Sequence, residues 1–307
     1  MTIIPSADRS DGTEPLMGPS QAETSWILPL RVHWKGLNPK EIARRSRNRW
    51  LDAFVVPLFG LWYLTQAASV VAPGAAVSEP AAAAVRPLML VVRALLAAVA
   101  AYILIVHAYA FPAPIEAQEA FAVQSKLGRW VYLTRHCLAL QAWHQMFSLF
   151  SIVSPLLTAL THGMCVWISA LGCFVTIQYF VLVVPSALMK EECERWRNRG
   201  VQFQEVGVLV HITGLPVAVL DLLFAKSAAE MEQALSMSRT IALTILYSLV
   251  YLGIIVANHQ VTRTWPYGFM NDFGTNAGKW AVFILKQVCI LQLLAFLSWL
   301  IVWFRTR

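Results

Sequence analysis

Charge is scarce in this sequence. Asp, Glu, Lys and Arg make up 13% of the 307 residues, against roughly 25% in a soluble domain. Cysteine is scarce too: Cys137, Cys165, Cys173, Cys193 and Cys289 form no CxxC pair, and four of them fall in apolar runs. That excludes a disulfide framework and a zinc centre, so no metal site is expected; Cys193, in the charged stretch KEECERWRNRG, is placed for palmitoylation. There is no GxSxG elbow, no HExxH, no Walker motif and no Gly-rich phosphate cradle, and no cofactor is expected. Strands of alternating hydrophobicity, about ten residues long, are also missing, which excludes a membrane β-barrel. No short apolar core with a small-residue cleavage site follows the start, so a cleavable signal peptide is not expected.

What the sequence has instead is long apolar blocks, with 58% hydrophobic residues and 12 Trp. Seven blocks stand out: 51–72 (A), 87–110 (B), 131–153 (C), 163–187 (D), 206–225 (E), 239–257 (F) and 281–304 (G). Each is long enough to cross the hydrocarbon core of about 30 Å as a helix. The expected fold is all-α, a polytopic transmembrane helical bundle of six core spans plus an additional N-terminal span. The expected divisions are a disordered to basic juxtamembrane segment (1–49, disordered over 1–24), an extra hydrophobic segment and Pro/Ala-rich linker (50–86), and the six-span bundle (87–307). Asn38-Pro39-Lys40-Glu41 reads as a helix start. Arg93, at the start of B, is expected to snorkel to the interface.

The net charge of +7 is uneven, with Arg31, Lys35, Lys40, Arg44, Arg45, Arg47 and Arg49 clustered before block A. Such a juxtamembrane cluster binds anionic lipid and sets topology, rather than binding nucleic acid. If A spans, the cluster shares a side with the basic B–C, D–E and F–G loops, and that side is cytosolic. If A lies in the interface, the same loops face the lumen or the exterior.

His211 lies inside the run VGVLVHITGLPVAVLDLLFA (206–225), where a charge at mid-bilayer would cost about 3 kcal/mol. Spans C and E are separated by one span and enter from the same side. Thr134 lies in the first turn of C and His211 in the second of E, so both sit within about 10 Å of one surface. The F–G loop returns there. Thr134, Gln141, Gln145 and Ser148 recur at helical spacing along C; interhelical hydrogen bonding explains that stripe as well as chemistry does. A lone His in a span likewise can be purely structural. His136 and His144 lie off the stripe, as interface or packing residues. Asp221 is excluded as a direct partner of His211, because ten residues of helix is about 15 Å; a structural polar contact near the opposite surface is expected for it.

Three segments, GRWVYLTRHCLALQ (128–141), HITGLPVAVLD (211–221) and NHQVTRTWPYGFM (258–270), resemble the signature regions of the androgen-induced gene family. Its members are multi-spanning threonine hydrolases of fatty acid esters of hydroxy fatty acids. The resemblance covers residues 87–304. It implies Thr134 as nucleophile, His211 as catalytic histidine and Gln141 as a matching support. Asp221 stands where the family has an acidic residue, and Trp265 and Tyr267 match a Trp-x-Tyr-Pro motif in which Gly268 replaces Pro. Gln141 and Asn258 are candidate oxyanion donors. The implied ligand is a lipid ester in the bilayer, and the implied location is the endoplasmic reticulum or plasma membrane. The competing expectation is a non-enzymatic membrane receptor, transporter or scaffold.

Overall fold

The computed structural model describes residues 39–67, 87–109, 127–186, 189–191, 193–194 and 203–307. The expected disordered segment 1–24, the basic residues Arg31 and Lys35, and the linker 74–86 lie outside these residues. Helix α1 spans Pro39–Thr65, α2 Pro87–Tyr109 and α3 Leu133–Phe150. Helix α4, Pro155–Gln178, starts with Pro behind the Ser154 cap and runs on into a π turn, Tyr179–Val183. Block E is two helices, α5 (Phe203–Ile212) and α6 (Gly214–Leu220), followed by a π turn over Asp221–Ala225. The break at Thr213 precedes Pro216, which has no N–H to give the carbonyl four residues back. The short α7 (Ala228–Ala234) leads to α8 (Met237–Thr262) and α9 (Ala277–Thr306), each opened by a capping side chain: Ser227, Ser236 and Asn276.

Among the described residues, five segments are long and apolar enough to cross a membrane: Pro87–His107, Pro155–Val183, Gln204–Ala225, Met237–Thr262 and Ala277–Thr306. With the shorter apolar helix Leu51–Thr65, they make this an all-helical, multi-pass membrane protein. Large apolar side chains such as Leu249, Val261, Val282 and Leu285 stay exposed on α8 and α9, as lipid-facing surfaces do. Block D starts earlier than its hydropathy indicates. Thr158, Thr161 and His162 remain helical because their side chains donate to carbonyls one turn back: Ser154, Leu157 and Thr158.

Block C differs more. Helix α3 is not among the five apolar segments, yet Thr134, Arg135, His136, Gln141, His144, Gln145 and Ser148 along it are buried. It sits at the centre of the bundle, packed against α1, α2 and α4, so its neighbours rather than its own side chains face lipid. Polar contacts run down α3 in register with block E. Thr134 meets His211, Gln141 donates to the Gly214 carbonyl, His144 meets Asp221, and Ser148 meets Lys226. The two segments therefore run parallel. On the other flank, α1 is fastened by an Asp52–Arg135 ion pair at 2.9 Å, by Trp143 Nε1 donating to the Val56 carbonyl at 2.7 Å, and by Tyr63 and His144 at 2.5 Å.

Arg93 does not snorkel. It is buried, donating through Nε to the Ala225 carbonyl at 2.7 Å and through Nη1 to Ser151 at 2.9 Å. Arg305 bonds the Leu222 and Lys226 carbonyls. Two arginines thus meet the carbonyl-rich, partly negative end of the block E helix, where cations are favoured.

Candidate active site

The centre of the site is built by the start of α3 and the last turn of α5. Tyr132 is extended (φ −95°, ψ 131°) and α3 begins at Leu133, putting Thr134 in the first turn. The turn before it is anchored from α8 and the following loop: the Leu133 N–H donates to the Tyr251 hydroxyl at 3.0 Å and the Tyr267 hydroxyl at 3.2 Å. Tyr251 donates to the Val131 carbonyl at 3.0 Å, and the two phenols are 3.0 Å apart. Burial pushes the Tyr267 phenol above its ordinary range, so it stays a neutral hydroxyl.

Thr134 Oγ1 lies 3.0 Å from His211 Nε2. The other ring nitrogen decides the direction. His211 Nδ1 is 2.6 Å from the Gly207 carbonyl, which can only accept, so Nδ1 carries the proton. Nε2 is then an acceptor, and the Thr134 hydroxyl donates to it. Thr176 fixes the histidine backbone by donating to the His211 carbonyl at 2.6 Å. The Tyr179 ring stacks flat on the imidazole, with centroids 3.8 Å apart and planes at 8°. The imidazole thus has a fixed tautomer, a fixed plane and a free lone pair aimed at a hydroxyl, which is the arrangement a general base needs. His211 keeps partial exposure, while Thr134 is buried.

The remaining sequence candidates are more dispersed. The Gln141 amide donates to the Gly214 carbonyl at 3.2 Å and packs against Gly172, bridging α3, α4 and α6 one level below the hydroxyl. Asn258 is buried on α8 and donates to Thr262 at 3.4 Å. Trp265 stacks on His259 at 3.9 Å, in an aromatic cluster with Trp280. Of the loop residues, Tyr267 comes nearest, holding the backbone beside Thr134. Asp221 is bound to His144 at 3.0 Å and to Lys226 at 3.3 Å, a buried network separate from His211. His144 therefore holds a helix interface through hydrogen bonds to Asp221 and to the Tyr63 hydroxyl. His136 bridges the Trp130 carbonyl and the Tyr247 hydroxyl.

Three neighbours of the Thr134–His211 pair escaped sequence reading: Thr176, Tyr179 and Tyr251. Nothing in the apolar runs around Tyr179 and Tyr251 singles them out. The π turn that begins at Tyr179, a geometry frequent at functional sites, is visible only in three dimensions. Among the described residues, no group of three or more His, Cys, Asp or Glu side chains could hold a metal ion. No family model, curated protein or solved structure matches this chain.

Proposed function

We propose that this protein is a membrane-embedded hydrolase of lipid ester bonds, acting on fatty acid esters of hydroxy fatty acids with Thr134 as nucleophile and His211 as base. The observation that carries this reading is the 3.0 Å contact between the Thr134 hydroxyl and His211 Nε2, with the tautomer set by Gly207. The substrate class is what the family resemblance of the three motifs implies.

In the first half-reaction Nε2 takes the Thr134 proton as Oγ1 attacks the ester carbonyl. The tetrahedral adduct collapses, the alkoxy oxygen leaves, and His211 returns the proton to it, leaving an acyl-threonine and a free alcohol. In the second, His211 takes a proton from water as the hydroxide attacks the acyl carbonyl. Threonine leaves with that proton and the fatty acid is released. The partial exposure of His211 supports access for water, and the apolar helices around it suit the acyl chains. The bilayer of the endoplasmic reticulum or plasma membrane is the setting, with anionic lipid at the N-terminal basic segment.

The test uses the full chain in nanodiscs with a panel of branched lipid esters. Thr134→Ala and His211→Ala are expected to lose turnover by at least ~10³-fold, within the range seen for triad members, and mass spectrometry of a quenched reaction is expected to find an acyl group on Thr134. Wild-type turnover in either variant would remove the mechanism and favour a receptor, transporter or scaffold.

A further inference from the structure

Two phenols meet at the start of α3, and their protons can be counted. Tyr251 gives its proton to the Val131 carbonyl at 3.0 Å, and its oxygen accepts the Leu133 N–H at 3.0 Å. The Tyr267 oxygen lies 3.0 Å from the Tyr251 oxygen. A phenol has one proton and that of Tyr251 is spent on Val131, so Tyr267 is the donor between the two. Tyr267 also accepts from the Leu133 N–H, at 3.2 Å. If the Tyr267 proton turns elsewhere, the Tyr251 oxygen keeps the Leu133 N–H and the Val131 carbonyl keeps its donor. No group in this cluster loses its last partner in that turn, so the Tyr267 O–H can be redirected at little cost.

Its position suits one use. Leu133 immediately precedes Thr134, so the phenol lies beside the backbone of the turn that carries the hydroxyl. His211 reaches that turn from α5 and Tyr267 reaches it from the loop after α8. The turn is also the positive end of α3, where negative charge is favoured. The two side chains that the sequence offered as oxyanion donors are committed elsewhere. Gln141 gives its amide to the Gly214 carbonyl, two turns deeper, and Asn258 donates to Thr262.

We propose that Tyr267 is the oxyanion donor of the Thr134 site, a catalytic residue and not only an anchor for the start of α3. The proposal rests on the hydrolase reading. As Oγ1 bonds to the ester carbon, its proton passes to His211 Nε2 and the carbonyl π pair moves onto the former carbonyl oxygen. The Tyr267 O–H turns from Tyr251 to that oxygen and holds it by a hydrogen bond that strengthens as the charge grows. On collapse the pair returns to the carbonyl, the alkoxy oxygen leaves with the proton from His211, and the phenol turns back. Tyr267 transfers no proton at any step.

The probe is a long-chain alkyl trifluoromethyl ketone, labelled with carbon-13 at its carbonyl, added to the full chain in nanodiscs. Its adduct with Thr134 is a hemiketal whose oxygen ionises, and the carbon-13 shift reports the pH at which it does so. In Tyr267→Phe that pH is expected to rise by about 2, with kcat on a lipid ester lower by about 10²–10³-fold and KM within about two-fold. A mere anchor would change the rate by misplacing Thr134 but would not move the ionisation of an adduct already formed. Leu133 keeps its bond to Tyr251 in this variant, so the fold is expected to hold. A ring-fluorinated tyrosine at the same position keeps the shape and is a stronger donor; it is expected to lower the ionisation pH, and it tests the proposal even where Tyr267→Phe fails to fold. An ionisation that ignores both replacements would overturn the proposal and leave the hydrolase reading standing. Wild-type protein that forms no hemiketal at Thr134 would remove both.

Discussion

Tyr179 lies flat against His211, ring to ring at 3.8 Å and 8°, and its hydroxyl, buried beside Gly207, has no hydrogen-bond partner among the described residues. The contact is made by the face of the ring, so the face is what matters. Tyr179→Phe keeps the stack and removes an unpaired hydroxyl; it is expected to hold kcat within about two-fold and to leave stability equal or higher. Tyr179→Leu frees the imidazole to rotate off the Thr134 hydroxyl. It is expected to lower kcat by about 10-fold or more with little change in KM, as loss of orientation does. Steady-state kinetics on one lipid ester checks both.

In the proposed mechanism the proton on His211 Nδ1 leaves Nε2 as the base, and a base must be unprotonated. Ester hydrolysis is therefore expected to rise from acid pH and to level off once the imidazole is neutral, with a single limb below neutrality. Thr134→Ser keeps the hydroxyl and is expected to retain this profile, whereas Thr134→Val, with the same shape and no hydroxyl, is expected to be inactive. An unchanged rate in Thr134→Val would exclude the nucleophile.

The Asp221 carboxylate is compensated by His144 and Lys226, and Lys226 is fully buried. Asp221→Leu alone strands that ammonium. Breaking one partner of a buried pair costs about 3–5 kcal/mol, so a fall in melting temperature of roughly 10 °C is expected. Asp221→Leu with Lys226→Met removes both charges and is expected to recover most of it. Turnover per folded molecule is expected to be unchanged in the double variant, since neither group touches His211.

Helix α4 approaches α6 at Gly172, where an added Cβ would lie 2.9 Å from the Gly214 carbonyl oxygen as well as against the Gln141 amide. Backbone cannot yield as a side chain does. Gly172→Ala is expected to destabilise the protein by about 1–3 kcal/mol. Gly253, on α8, has open space around the same position, and Gly253→Ala is expected to stabilise by up to about 1 kcal/mol through helix propensity. Thermal melts of the two variants side by side make the comparison.

The apolar helices were legible because hydropathy and length are local properties. Blocks B, D, E, F and G each correspond to a long apolar helical segment, broken in E at Thr213, and parity alone put Thr134 and His211 at the same end of the bundle. Helix rise also separated Asp221 from His211. What was not legible is what depends on packing between distant segments. Arg93 looked like a residue reaching for the interface, because its partners, Ser151 and the Ala225 carbonyl, are 58 and 132 residues away. His144 read only as an interface or packing residue because its periodicity misses the Thr134 stripe; it faces Tyr63 and Asp221, partners on α1 and block E that periodicity cannot name. Tyr179 and Thr176 carry no periodic signal at all, and their role follows from where α4 crosses α5.

Helix α3 holds Arg135, His136, Gln141, His144 and Gln145 within eighteen residues, a content that lipid alone would not tolerate at depth. The groups that satisfy four of these come from both directions along the chain: Asp52 and Leu104 before it, and Gly214, Asp221 and Tyr247 after it. During synthesis α3 therefore emerges without most of its partners and cannot settle on its own. The last of these partners to be made, Tyr247, lies on α8, so the polar groups of α3 are paired only in a chain that extends through that helix.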